Sequence, residues 1–109
     1  MKPDTPVQIS CTDFWFKMVE MLQQNWALID SLPTGGVVVY FVHDLSGVFD
    51  RLTYPSVEQA QAALIHNGFR RFTNHPEFHH FLTPPPPPYT RRNHPNGPIY
   101  SSGRFWSQP

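Results

Sequence analysis

Six consecutive residues, Val37-Val38-Val39-Tyr40-Phe41-Val42, are all β-branched or aromatic. Such a run favours extended backbone, because branched and ring side chains pack well on a pleated surface and crowd the preceding turn of a helix. Side chains alternate across a strand, so a run without a polar member leaves no face for water. Any fold for this chain must therefore cover one strand from both sides. The material for doing so is limited. The chain has 109 residues, 39% of them apolar, which suffices for one small core but not for two ordinary domains. Its aromatic content of 15% is too high for wholesale disorder. No apolar stretch reaches the roughly 18 residues that a membrane-spanning helix needs. The lone Cys11 excludes an internal disulfide and reads as a structural thiol, so the fold relies on its core.

Around that strand the pattern predicts an α+β fold, a helix–β-hairpin–helix with a possible short third strand. Trp15, Val19, Leu22, Trp26 and Ile29 recur at helical spacing and predict a helix over about 13–30. Thr12 or Asp13 would cap it and Pro33 would stop it. Phe14, Phe16, Met18, Met21 and Leu28 widen its apolar arc beyond a simple stripe. Gly47, free to take a positive φ, would turn the hairpin from 37–42 into a second strand over about 48–54. There Val48, Asp50, Leu52 and Tyr54 would point one way, and Phe49, Arg51 and Thr53 the other. Ser56-Val57-Glu58-Gln59 is a capping box, and Asn67-Gly68-Phe69 a helix stop, which bracket a helix over about 57–67. The third strand would come from Phe69–Phe72 or Val7–Ser10. Asn74, Pro76 and Glu77 open a short helical turn running to Leu82. Five prolines, 84–88, follow as a polyproline rod.

This divides the chain into an N-terminal segment, 1–12, a compact α+β domain, 13–83, and a proline-rich arm, 84–109. The arm, with Tyr89, Ile99, Tyr100, Phe105 and Trp106, is too apolar for an idle linker. It is expected to pack on the domain or on a partner. The charges balance at zero overall. Residues 1–65 nevertheless carry a net −4 and residues 66–109 a net +4. An internal match of the two halves accounts for this, and an anion-binding surface is the other possibility.

Motifs that would name a chemistry are missing. His75 and His79 stand four apart, as zinc-binding histidines on a helix do, with Glu77 and His80 close by. Pro76 occupies the place where a catalytic Glu would follow the first His, so neither a metal nor any other cofactor is expected. His43, Asp44 and Asp50 at the hairpin are explained by turn geometry. No phosphate loop or nucleophile elbow is present, and no catalytic residue is assigned.

The reading that remains is a small non-catalytic module that binds a protein partner or a second copy of itself. Its contact residues would be Pro85, Pro88, Tyr89, Arg91, Arg92, Tyr100, Arg104, Phe105 and Trp106, since a polyproline rod is a preformed ligand for aromatic grooves. The alternative is a module for single-stranded nucleic acid that uses Arg70, Arg71, Arg91, Arg92 and Trp106 for phosphates and base stacking. The N-terminal MKPDTPVQIS lacks the apolar core of a secretory signal, which makes the cytoplasm the expected compartment and a membrane no partner.

Overall fold

The computed structural model describes residues 5–20, 23–43, 46–80 and 82–91. Among the described residues there are seven strands in one mixed sheet and one α-helix, not the expected helix–hairpin–helix. The strands are β1 (Thr5–Val7), β2 (Phe14–Glu20), β3 (Gln23–Ser31), β4 (Val37–His43), β5 (Gly47–Tyr54), β6 (Arg70–Arg71) and β7 (Tyr89–Arg91), and the helix α1 is Val57–His66. Their order across the sheet is β1-β7-β5-β4-β3-β2-β6. The β5–β7 pairing is parallel and the others are antiparallel.

The expected helix over 13–30 is the antiparallel pair β2–β3, with Phe14 opposite Leu28 and Phe16 opposite Trp26. The reason is two-sided burial. Trp15 and Ala27 belong to the cluster under α1, whereas Phe16, Trp26 and Leu28 belong to the cluster on the opposite face. A strand buried on both sides loses its polar–apolar alternation, and the scattered polar residues that remain mimic a helical period. The wide apolar arc is the trace of those two faces.

β4 is buried along its whole length except for the half-buried Tyr40. Val37, Val39 and Phe41 face α1 with Ala60 and Leu64, while Tyr40 and Val42 face the other cluster. A bulge in β5 sets Phe41 opposite Asp50 and Val42 opposite Val48, leaving Phe49 as the extra residue. The bulge inverts the start of the strand relative to a simple alternation. Val48 therefore joins the face away from α1, and Phe49 packs on the α1 face with Leu52 and Tyr54. In the turn before β5 it is Ser46 that has a positive φ, 63°, and not Gly47.

Helix α1 begins and ends on local signals. Ser56 Oγ accepts from the Gln59 amide at 3.2 Å. Beyond the C-cap Asn67, Gly68 takes φ 90°. The Phe69 amide donates to Leu64 O at 2.9 Å and the Gly68 amide to Ile65 O at 3.1 Å. That double closure satisfies carbonyls the helix leaves free, and folds Phe69 into the core.

The face away from α1 is closed by chain rather than by a second layer. Val7, Ile9 and Cys11 pack on it from the N-terminal side, Phe72 and Phe78 from the other, and Leu82 and Tyr89 between. The Ser10 amide donates to Asp30 Oδ2 at 2.8 Å, which ties the N-terminal crossing to the end of β3. The turn expected to open at Asn74 is instead two 3-10 turns, Phe72–Asn74 and Pro76–Phe78, with His75 between them. The Pro87–Pro88 peptide is cis.

Candidate binding surface

The proline segment is held at both ends. Pro85 is fully buried and Tyr89 is buried on the sheet, while Pro86, Pro87 and Pro88 between them are exposed. Tyr89 Oη donates to Pro85 O at 2.9 Å, closing the segment into a short arch. Burial, with a smaller contribution from the nearby Cys11 thiol, pushes the Tyr89 phenol above its ordinary pKa, so it remains a donor. Ser46 anchors the arch to the β4–β5 turn. Its hydroxyl donates to Pro86 O at 2.5 Å, and its carbonyl accepts from the Thr90 amide at 3.2 Å. Beside the arch lies a groove of about 400 Å³ lined by Pro6, Val7, Gln8, Ile9, Pro87, Pro88 and Tyr89.

Of the residues expected to meet a protein partner, Pro85 and Tyr89 are thus turned into the core. Pro88 lines the groove and Arg91 is exposed at the end of β7. Arg92, Tyr100, Arg104, Phe105 and Trp106 lie outside the described residues.

Of the arginines expected to read phosphates, the three described ones, Arg70, Arg71 and Arg91, do not lie together. Arg71 Nε donates to both oxygens of Asp13, at 3.1 and 2.8 Å, and a terminal nitrogen pairs with the same carboxylate. Hydrogen bonding to Asp13 and its charge raise the Arg71 pKa further. The pair joins the acidic N-terminal half to the basic C-terminal half. Arg70 is exposed, with its guanidinium 5.8 Å from the centre of the Phe78 ring. β6 and β7 are five steps apart in the sheet. At about 4.8 Å per strand this sets Arg70 and Arg91 on the order of 24 Å apart.

His79 does not turn toward His75. It stacks on Phe72 with centroids 4.2 Å apart, and its Nε2 lies 2.9 Å from Phe72 O. His75 Nδ1 lies 3.1 Å from Glu77 Oε2. The Glu77 carboxyl is held below its usual range, first by its own backbone amide and then by His75. Among the described residues no group of three His, Cys, Asp or Glu side chains is placed to hold a metal ion. Cys11 Sγ accepts from the Asp13 amide at 3.3 Å.

A polar row on the α1 side is not visible in the sequence. Lys17 pairs with Asn25 and Asn25 with His43, so the three share one face in adjacent strands. Asn25, His43 and Asp50 are buried. Lys17 Nζ donates to Asn67 O at 2.9 Å, at the end of α1, and partial burial lowers the pKa of its ammonium. Gly47 lies beside His43 because any Cβ there would run into the imidazole. The row exists only once β2 and β3 pair. Asp44, expected beside His43 and Asp50, lies outside the described residues.

Neither a protein-family model, a curated protein nor a solved structure matches the chain. Among the described residues no helix is long and apolar enough to cross a membrane.

Proposed function

We propose that this chain is a non-catalytic module that binds a protein partner through the Pro86–Pro88 ridge. The observation that carries the reading is the ridge's anchoring. Three solvent-facing prolines stand between a buried Pro85 and a buried Tyr89, next to an apolar groove. A segment already fixed loses little entropy on docking, which is why proline-rich segments suit shallow aromatic clefts. The partner fitted by this surface presents aromatic side chains to the proline rings.

The test is titration of the isotope-labelled full chain with a panel of polyproline-reading domains of the SH3 and WW types. Shifts confined to residues 6–9 and 86–89, weakly dependent on salt and lost in Pro87→Ser at unchanged melting temperature, support the reading. Silence from the whole panel, from a protein that stays monomeric at every concentration, overturns it.

One observation favours nucleic acid as the second reading. Arg70 over Phe78, with Phe72 and His79 stacked beside it, combines charge and ring faces. Against it, Arg71 is committed to Asp13 and Arg91 is far across the sheet. Retention on single-stranded DNA that falls steeply with salt would favour this reading over the first.

A further inference from the structure

Ser46 holds a positive φ of 63°, whereas the other positive-φ residues among those described are glycines. The left-handed conformation crowds a Cβ against the backbone, so serine is strained where glycine is not. Such strain persists only where the surroundings fix the backbone, and it points to a use for the side chain. Both backbone groups of Ser46 are fixed. Its amide donates to His43 O at 3.0 Å, and its carbonyl accepts from the Thr90 amide at 3.2 Å. A glycine would make both bonds without the strain. The group it could not supply is the hydroxyl, which donates to Pro86 O at 2.5 Å. We propose that Ser46 is a positioning residue for the docking ridge: its hydroxyl latches Pro86–Pro88 in the shape that docks, and the hairpin turn is less stable for it. The inference rests on the ridge as a docking surface and names the group that governs its order.

One hydroxyl matters here because of what proline lacks. The residues 84–88 are all proline and have no backbone N–H to donate. Only ring burial, or a donor brought to their carbonyls, can hold them. Pro85 has both, a buried ring and a carbonyl that accepts from Tyr89 Oη at 2.9 Å. Pro86, Pro87 and Pro88 are exposed. Among the described residues, Ser46 is the donor that reaches a carbonyl of these three. The two hydroxyls act differently. Tyr89 closes the arch on itself, four residues along the chain. Ser46 ties it to the β4–β5 hairpin, 40 residues away. Without the Ser46 bond the arch keeps its two buried ends, and the exposed stretch between them gains local freedom. A partner would then have to order that stretch on docking, which weakens binding.

The experiment is carbon-13 relaxation of the full chain labelled at proline, in the native protein, Ser46→Gly and Ser46→Ala, with melting temperatures measured alongside. Both variants lack the hydroxyl, but only Ser46→Ala keeps a Cβ in the left-handed conformation. Ridge order should follow the hydroxyl. Pro86, Pro87 and Pro88 should be nearly as rigid as the buried Pro85 in the native protein, and more mobile, to similar extents, in both variants. Melting should follow the strain, with Ser46→Gly a few degrees above Ser46→Ala. Against a cleft domain that binds the native chain, Ser46→Gly should raise Kd on the order of 3- to 10-fold, as the loss of one hydrogen bond implies. A ridge already mobile in the native protein overturns the proposal, as does one that stays rigid in Ser46→Gly. Mobility that tracks melting, loose in Ser46→Ala and tight in Ser46→Gly, also overturns it, since the hydroxyl then serves only the fold. The relaxation readout needs no partner, so failure of the latch is seen apart from failure of the ridge to bind cleft domains.

Discussion

Gly68 and Gly47 are both required, for different physical reasons. Gly68 sits at φ 90°, and a Cβ there would meet only the Lys17 side chain, at an ordinary 3.5 Å. Space is available, so the demand is conformational. Gly68→Val should destabilise by about 1–2 kcal/mol through left-handed strain at a β-branched residue, and Gly68→Asn by less. Urea unfolding measures both, and equal midpoints for the three proteins would remove the helix closure described above. Gly47 has no positive φ and is required for space. Gly47→Ala drives a methyl into the buried His43 ring and should cost about 1–3 kcal/mol as overpacking. His43→Ala in the same background should restore part of that loss, whereas no residue change can relieve the strain at Gly68. The positive φ at Ser46 and the close approach at Gly47 were not separable in the sequence. Both follow from the path of the hairpin between Gly47 and His43.

Elements with local punctuation were legible, and elements defined by long-range pairing were not. Ser56 with Gln59, and Gly68 with Phe69, place both ends of α1 within a residue, because caps act through backbone groups only a few residues away. Ser56→Ala should lose about 1 kcal/mol of stability and shorten amide protection in the first turn by hydrogen exchange. Protection unchanged there would mean the cap contributes nothing. Nothing comparable marks β2 and β3. Between positions 14 and 24 the chain has no Gly, Pro, Asn or Asp, so the reversal carries no turn signal, and apolar residues on both faces supply a false helical period. The arginines show the same limit. Their spacing with aromatics was visible, but Arg71 is defined by Asp13, 58 residues away, which only the β2–β6 edge brings near. The 3-10 segment yields an acid-side prediction. Glu77 titrates below the ordinary Glu value of about 4.3, so its contribution is present above that pH and lost as pH falls through its lowered folded value. Glu77→Gln should flatten that part of the stability profile. Carbon-detected titration of Glu77 at its ordinary value would contradict the arrangement with His75.

At the scale of the whole molecule, the six-residue apolar run correctly required cover on two faces, but it did not say which segments provide it. One face takes α1. The other takes the N-terminal crossing, the 3-10 turns, Leu82 and Tyr89. That division buries Pro85 and Tyr89 at the two ends of the proline segment, and it sets different expectations for two truncations. Stopping after Thr83 removes β7, which is the sheet neighbour of β1 and joins it to β5. β1 then has no strand to pair with, and Val7 and Ile9 lose Tyr89 as their neighbour in the cluster. Pro85 and Tyr89 go at the same time. At roughly 25 cal/mol per Å² the apolar burial forfeited is worth several kcal/mol, a large share of the 5–15 kcal/mol a small domain has to spend. The shortened chain should bind a hydrophobic dye, melt at a much lower temperature and associate through the uncovered Tyr40–Val42 face. Stopping after Arg91 keeps every described strand and both anchors of the proline arch. That chain should retain a cooperative transition and stay dye-negative. Calorimetry and dye fluorescence on the two proteins decide the matter. If the Thr83 truncation melts like the Arg91 one, then β7 and the arch only decorate the sheet, and the ridge they hold loses the rigidity on which its binding role depends.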